Sequence, residues 1–203
     1  LQEDTLNDQR RRAATLPVPP RLAVGEAIDG WLVDAVLADN GINAVYKIHS
    51  EEWDQTGAGG QKDPDSAATA PCALVMKALL PARAHDPEER AQLAHEAWLA
   101  PHLVALHEPH EMPGHKPSAF YLLYDWHAGD TLAQVLERGQ PPAVSHVLQW
   151  AVQAARALAG LHRQGVVHRD VRPANLHLGA DGGLRLLDLG GALSGHEPGA
   201  MRR

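Results

Sequence analysis

Cysteine is nearly absent: Cys72 stands alone in 203 residues. No internal disulfide can form, and the composition fits a reducing compartment, the cytosol. Basic charge is also short. The net charge is -7 and the densest basic cluster, Arg10-Arg11-Arg12, is three residues long, so the chain has little electrostatic purchase on a phosphate backbone and no nucleic-acid partner is expected. The arginine triplet reads as a solvated face. Long apolar runs are missing too. The most apolar stretch, Cys72 to Leu80, is interrupted by Lys77 and is far shorter than the roughly twenty apolar residues of a spanning helix, so no membrane crossing is expected within this fragment. What is present is 44% hydrophobic content, enough for a core, in a length that suits one domain or most of one. The chain opens on Leu1, shows no signal-peptide pattern and closes on Met201-Arg202-Arg203, so both ends read as cut from something longer.

Residues 1–29 are polar and then crowded by Pro17, Pro19 and Pro20, which predicts an extended, linker-like N-terminal extension. Alternation predicts a strand from Trp31 to Leu37 and a second from Asn43 to Ile48, joined as a hairpin through Ala38-Asp39-Asn40-Gly41-Ile42. Residues 50–71 are rich in turn formers and poor in large apolar groups, as in a surface insertion. Cys72 to Leu79 is a strand carrying one cation. If buried, Lys77 needs a partner; if the strand is an edge, Lys77 faces water. Asp86 as N-cap, Pro87 at the first helical position and Glu89 able to close a capping box start a helix that runs to about Ala100 and carries Glu96.

His102, His107, His110 and His115 with Glu108 and Glu111 invite a metal reading, but Pro109 and Pro113 deny the helix that His-Glu-x-x-His zinc spacing requires. A strand ending in a solvated loop fits better. Phe120 to Tyr124 is an apolar strand leaving through Asp125-Trp-His-Ala-Gly129. Thr131 and Gln134 form a capping box for a short helix to Arg138. A long amphipathic helix follows, about Val144 to Arg163, with Val147, Leu148, Ala151, Ala154, Ala155, Leu158 and Leu161 on one face expected to serve the core.

The chemistry concentrates in Val167-His168-Arg169-Asp170-Val171-Arg172-Pro173-Ala174-Asn175, followed by Asp188-Leu189-Gly190. A carboxylate, a cation two residues on, an amide five on and a second carboxylate eighteen on resemble the catalytic loop and metal-binding turn of the eukaryotic-type serine/threonine protein kinases, in a wording that looks bacterial. The resemblance covers about Trp31 to Gly191 and implies an α+β, protein-kinase-like bilobal fold. Its antiparallel-sheet N-lobe with one helix would span 30–126. An incomplete, mostly helical C-lobe would span 127–203 and end in the activation segment.

The resemblance also implies roles. Asp170 would accept the proton of a Ser or Thr hydroxyl, Asn175 and Asp188 would hold Mg²⁺, Arg172 would stand where lysine is usual, and Lys77 would contact ATP phosphates paired with Glu96 rather than Glu88 or Glu89. Nucleotide contacts would come from Leu37, Asn40, Gly41, Val45 and Val75, from Asp125 and His127 at the hinge, with Tyr124 gating the pocket behind it, and from His177 on the adenine-pocket floor. The hairpin departs from the family. Its three glycine positions hold Ala38, Asn40 and Asn43, with Gly41 the one glycine in the turn. Leu189 replaces the usual Phe. Arg169 suggests a loop switched by phosphorylation, with Ser194 as polar filler in that loop. ATP and Mg²⁺ are the implied cofactors and a protein bearing a Ser or Thr hydroxyl the implied partner. Two other readings stay open: a pseudokinase scaffold with weak or no nucleotide binding, and a small-molecule kinase of the aminoglycoside-phosphotransferase type.

Overall fold

A computed structural model describes residues 2–50, 73–99 and 117–195, with side chains from residue 7 onward. Most of the expected insertion at 50–71, Cys72 and the histidine-rich run from His102 to His115 lie outside the described residues. Within them the chain forms two compact units, one of residues 7–50, 73–94 and 117–126, the other chiefly of residues 95–99 and 127–195.

The first unit is an antiparallel five-stranded sheet in the order β1 (Ala27–Ile28), β2 (Trp31–Asp39), β3 (Asn43–Ser50), β4 (Leu74–Leu79) and β5 (Tyr121–Asp125). The period-two pattern decides which face is wet. On β3, Ala44, Tyr46 and Ile48 turn inward and join Trp31, Val33, Leu74, Met76 and Leu123 in one apolar layer. The register slips twice on β2, between Val33 and Ala35 and between Val36 and Ala38, so that strand bends ahead of its turn.

The N-terminal segment corrects the linker reading. Residues Gln2–Thr15 form a helix, α1, because Gln, Leu, Ala and Arg are good helix formers and the basic residues sit toward the C-terminal end of the macrodipole. Only the proline-rich stretch after it is extended, and it is not loose: Pro19 is fully buried, Leu22 caps the sheet core, and Pro17 O accepts from Phe120 N at 2.8 Å.

Helix α2 (Pro87–Leu99) starts where the sequence places it. Asp86 Oδ1 accepts from the Glu88 and Glu89 amides at 3.0 and 3.3 Å, but Asp86 N donates to Arg83 O, so the reciprocal half of the box is not made by Glu89.

The second unit contains α3 (Leu132–Glu137), α4 (Val144–Arg163), the pair β7 (Val166–Val167) with β10 (Leu193–Ser194), and the three strands β6 (Gly129–Thr131), β8 (Leu176–Gly179) and β9 (Leu184–Leu186). The Thr131 capping box is complete in both directions. Gly129 permits the close approach of β6 to β8, since a Cβ there would lie 2.1 Å from Leu178 O at φ +148. The expected burial of the α4 apolar face does not hold: Val147 and Leu148 are 45% and 62% exposed, and Leu161 is the member that is fully buried. Periodicity fixes which side of a helix is apolar, whereas burial needs a partner. Along its middle, α4 meets the β8–β9 turn through polar Gln153, which donates to Gly182 O and accepts from Leu184 N. No helix among the described residues is long and apolar enough to cross a membrane.

Candidate active site

The sheet unit carries one group of the expected nucleotide residues. Directly opposed residues in an antiparallel pair share a face. Val45 opposes Lys77, and Lys77 opposes Leu122, with Val75 two residues back on the same face, opposite to the side occupied by Tyr46 and Met76. Lys77 is 9% exposed, which decides the alternatives left by the sequence: it sits in a central strand rather than on an edge. Leu37 is exposed beside the second β2 bulge, and Asp125 closes β5 opposite Leu74.

At the hairpin tip the backbone amides are already engaged. Asn40 Oδ1 accepts from Ile42 N and Asn43 N at 2.9 and 2.8 Å, and Asp39 Oδ1 accepts from Gly41 N at 3.0 Å. Arg21 in turn holds Asp39 Oδ2 at 2.6 Å. Gly41 takes φ +80, the left-handed conformation the turn needs. Three amides that a glycine-rich turn would offer to phosphates therefore bond side chains of the turn itself.

The second unit carries the group expected to do acid–base chemistry. Asp170 receives Asn175 Nδ2 at 2.8 Å and Arg172 Nε at 3.1 Å, both on Oδ2. Asn175 Nδ2 also donates to the Asp170 carbonyl at 3.0 Å. Two consequences follow for chemistry. Oδ1 of Asp170 is the carboxylate oxygen available to a hydroxyl, and the amide oxygen of the buried Asn175 is the end available to a cation. The Asp170–Arg172 pair is about half exposed, so its worth to stability is on the order of 0–1 kcal/mol and its use is orientation.

Asp188 sits in a strained backbone position. It adopts φ +63 and its Oδ1 accepts from Gly190 N at 3.1 Å, a tight turn in a conformation disfavoured for residues with a Cβ. Glu96, 3% exposed, sits against this turn: a Cβ placed on Gly190 would lie 3.4 Å from Glu96 Oε2. Leu189 is buried at 4%, keeping the apolar packing expected at that position.

One residue ties the two polar segments together, and the sequence reading gave it no role. His168, 1% exposed, places Nε2 3.1 Å from Leu187 O and accepts the Asp170 amide on Nδ1 at 3.3 Å. The tautomer that satisfies both carries its proton on Nε2. Leu187 N donates to Asn175 O at 2.9 Å, so both backbone groups of the residue before Asp188 are held by the 168–175 segment. Arg169, at φ +67, is exposed, and Ser194 is buried at 2%.

His177 is 8% exposed on β8, with a buried Nε2 that has no hydrogen-bond partner. Burial, and then the nearby Arg185 and His127, push its pKa below the ordinary value, against a smaller opposing effect from a bond to the His127 backbone. His127 and His177 are thus brought together.

Comparison with known proteins follows the same residues. The protein kinase domain profile matches residues 76–202, more than half of the chain. The chain belongs to the protein kinase family. The kinase match begins at Met76 and so takes in Lys77, Glu96, Asp170, Asn175 and Asp188 but not the β2–β3 hairpin. A Streptomyces coelicolor protein named probable serine/threonine-protein kinase is 30% identical over 160 residues, 76% of this chain and 21% of its own length. The serine/threonine-protein kinase PknJ of Mycobacterium tuberculosis is 26% identical over 83% of this chain and 26% of its own. PknB of Mycobacterium leprae is 26% identical over 58% of this chain and 20% of its own. The chain therefore spans about a fifth to a quarter of the length of these curated relatives.

The donor set suits the expected ion. An amide oxygen and a carboxylate, Asn175 and Asp188, are hard oxygen ligands of the kind Mg²⁺ takes while keeping several waters.

Proposed function

We propose that this chain is the nucleotide-binding and catalytic part of a Mg-ATP-dependent serine/threonine protein kinase that transfers the γ-phosphoryl of ATP to a protein hydroxyl, as a signalling enzyme. The observation that carries it is the state of Asp170. Its carboxylate is locked through one oxygen by Asn175 and Arg172 and presents the other, as a general base must to take a hydroxyl proton. Asn175 and Asp188 would hold Mg²⁺, which when bound offsets charge on the phosphate oxygens. Arg172 keeps a positive charge beside Asp170 where the phosphoryl would arrive. Lys77, buried among Val45, Val75 and Leu122 on one sheet face, supplies a fixed cation for the phosphates, and Glu96 is the carboxylate assigned to pair with it. Protein rather than small-molecule substrates fit the names of the relatives.

A second reading, a scaffold with weak nucleotide grip, is favoured by one observation: the hairpin amides of Gly41, Ile42 and Asn43 are spent on Asp39 and Asn40. A thermal-shift titration separates the two. Mg-ATP at a hundred times its dissociation constant stabilises a binding fold by ~2.7 kcal/mol. In a folded sample, no shift favours the scaffold. A shift with transfer lost in Asp170→Asn and nucleotide binding retained establishes the kinase; transfer unchanged in that variant refutes the assigned base.

A further inference from the structure

Arg90 lies on α2, six residues before Glu96, on the side of the helix that meets the N-terminal segment. Its guanidinium serves three carbonyls. Nη1 donates to Ala84 O at 2.8 Å, in the turn that leads into α2, while Nη2 donates to Leu16 O at 2.6 Å and to Ala13 O. Ala13 and Leu16 stand at the C-terminal end of α1, where the last carbonyls lack helical partners and carry the negative end of the macrodipole. Arg90 is thus a cap supplied to α1 by another helix, across 74 residues of sequence. The segment it grips is fixed further on as well. Pro17 O accepts from Phe120 N, and Leu22 N donates to the hydroxyl of the buried Tyr46 at 3.2 Å. Ala13, Pro19 and Leu22 are all buried.

A planar fork spanning three carbonyls is specific in direction, and it is attached to a rigid rod. Glu96 lies about 9 Å further along that rod at 1.5 Å per residue. Towards its far end Glu96 lies beside the Asp188-Leu189-Gly190 turn, its Oε2 3.4 Å from a Cβ placed on Gly190. We propose that residues 13–22 are a strap that sets the position of α2 through Arg90, making Arg90 a positioning residue that acts through Glu96 on phosphoryl transfer. This rests on the kinase reading given above. The strap also accounts for the buried Pro19, Ala13 and Leu22 in a stretch that composition alone marks as linker. A segment that merely joined domains would have no use for a buried Ala13 or a guanidinium cap.

The test uses the full chain and two readouts, amide hydrogen exchange along α2 and steady-state transfer from Mg-ATP. In Arg90→Ala, and in a chain lacking residues 1–16, exchange of amides 93–99 should rise about tenfold while the β2–β3 amides stay protected. Transfer should fall in kcat by roughly tenfold with KM for ATP within about twofold of the parent. Arg90→Lys, able to reach fewer of the carbonyls, should lie between. Unchanged α2 exchange in Arg90→Ala overturns the strap. So does a rise shared equally by β2–β3, which marks general loosening, or local loosening of α2 with kcat untouched. A parent chain whose stability Mg-ATP leaves unchanged counts against the kinase reading instead; the exchange pattern then decides by itself whether Arg90 fixes α2.

Discussion

Replacing His168 by leucine removes two bonds and little volume. The imidazole is 1% exposed and joins Leu187 O to the Asp170 amide, so His168→Leu leaves one acceptor and one donor without partners. An unsatisfied buried group costs ~1–3 kcal/mol. The Asp170 amide is only part-buried, which places the sum near the lower half of the range, about 2–4 kcal/mol. Against a total stability on the order of 5–15 kcal/mol, that is a visible loss without unfolding. Urea unfolding followed by tryptophan fluorescence should show the midpoint falling with the m-value unchanged. His168→Gln, whose amide can donate to one partner and accept from the other, should recover part of it. The Mg-ATP thermal shift should shrink in His168→Leu beyond the stability loss, because Leu187 is the backbone link between Asn175 and Asp188. A stability change under about 0.5 kcal/mol, within the scatter of surface substitutions, would refute the bridge.

Three further outcomes follow from the geometry. The folded state holds His177 below its ordinary pKa of 6.5, so as pH falls below that value the unfolded chain gains a proton the folded chain resists, and stability drops. Melting temperature between pH 7 and 5 should fall less steeply in His177→Leu; parallel curves would remove the assigned burial. Gly129→Ala drives a methyl to 2.1 Å from Leu178 O at φ +148, so the β6–β8 pair must open, with a cost of several kcal/mol by denaturation; a loss below about 1 kcal/mol speaks against that contact. Asn40→Gly frees the Ile42 and Asn43 amides, and if these are what the phosphates lack, affinity for Mg-ATP by titration should rise about threefold or more; weaker binding would show that the capped turn is the working form.

Sequence determined the parts whose causes are local. Asp86 before Pro87, Thr131 before Gln134 and the alternation through Asn43–Ser50 each dictate structure within a few residues, and each forms, apart from the return bond expected of Glu89. The same holds for the spacing of Asp170, Arg172 and Asn175, which one loop can bring together. Tertiary structure decided whatever depends on residues far apart in the chain. The α4 stripe is apolar by periodicity, yet Leu148 is exposed because burial depends on a facing element. Lys77 could have been an edge cation until β5 paired beside β4. His168 stood in the sequence as one letter of a motif, and nothing local singled out Arg90, until folding set Leu187 and Leu16 against them. A contact between distant positions leaves no pattern in either stretch alone, because the energy that selects it belongs to the pair.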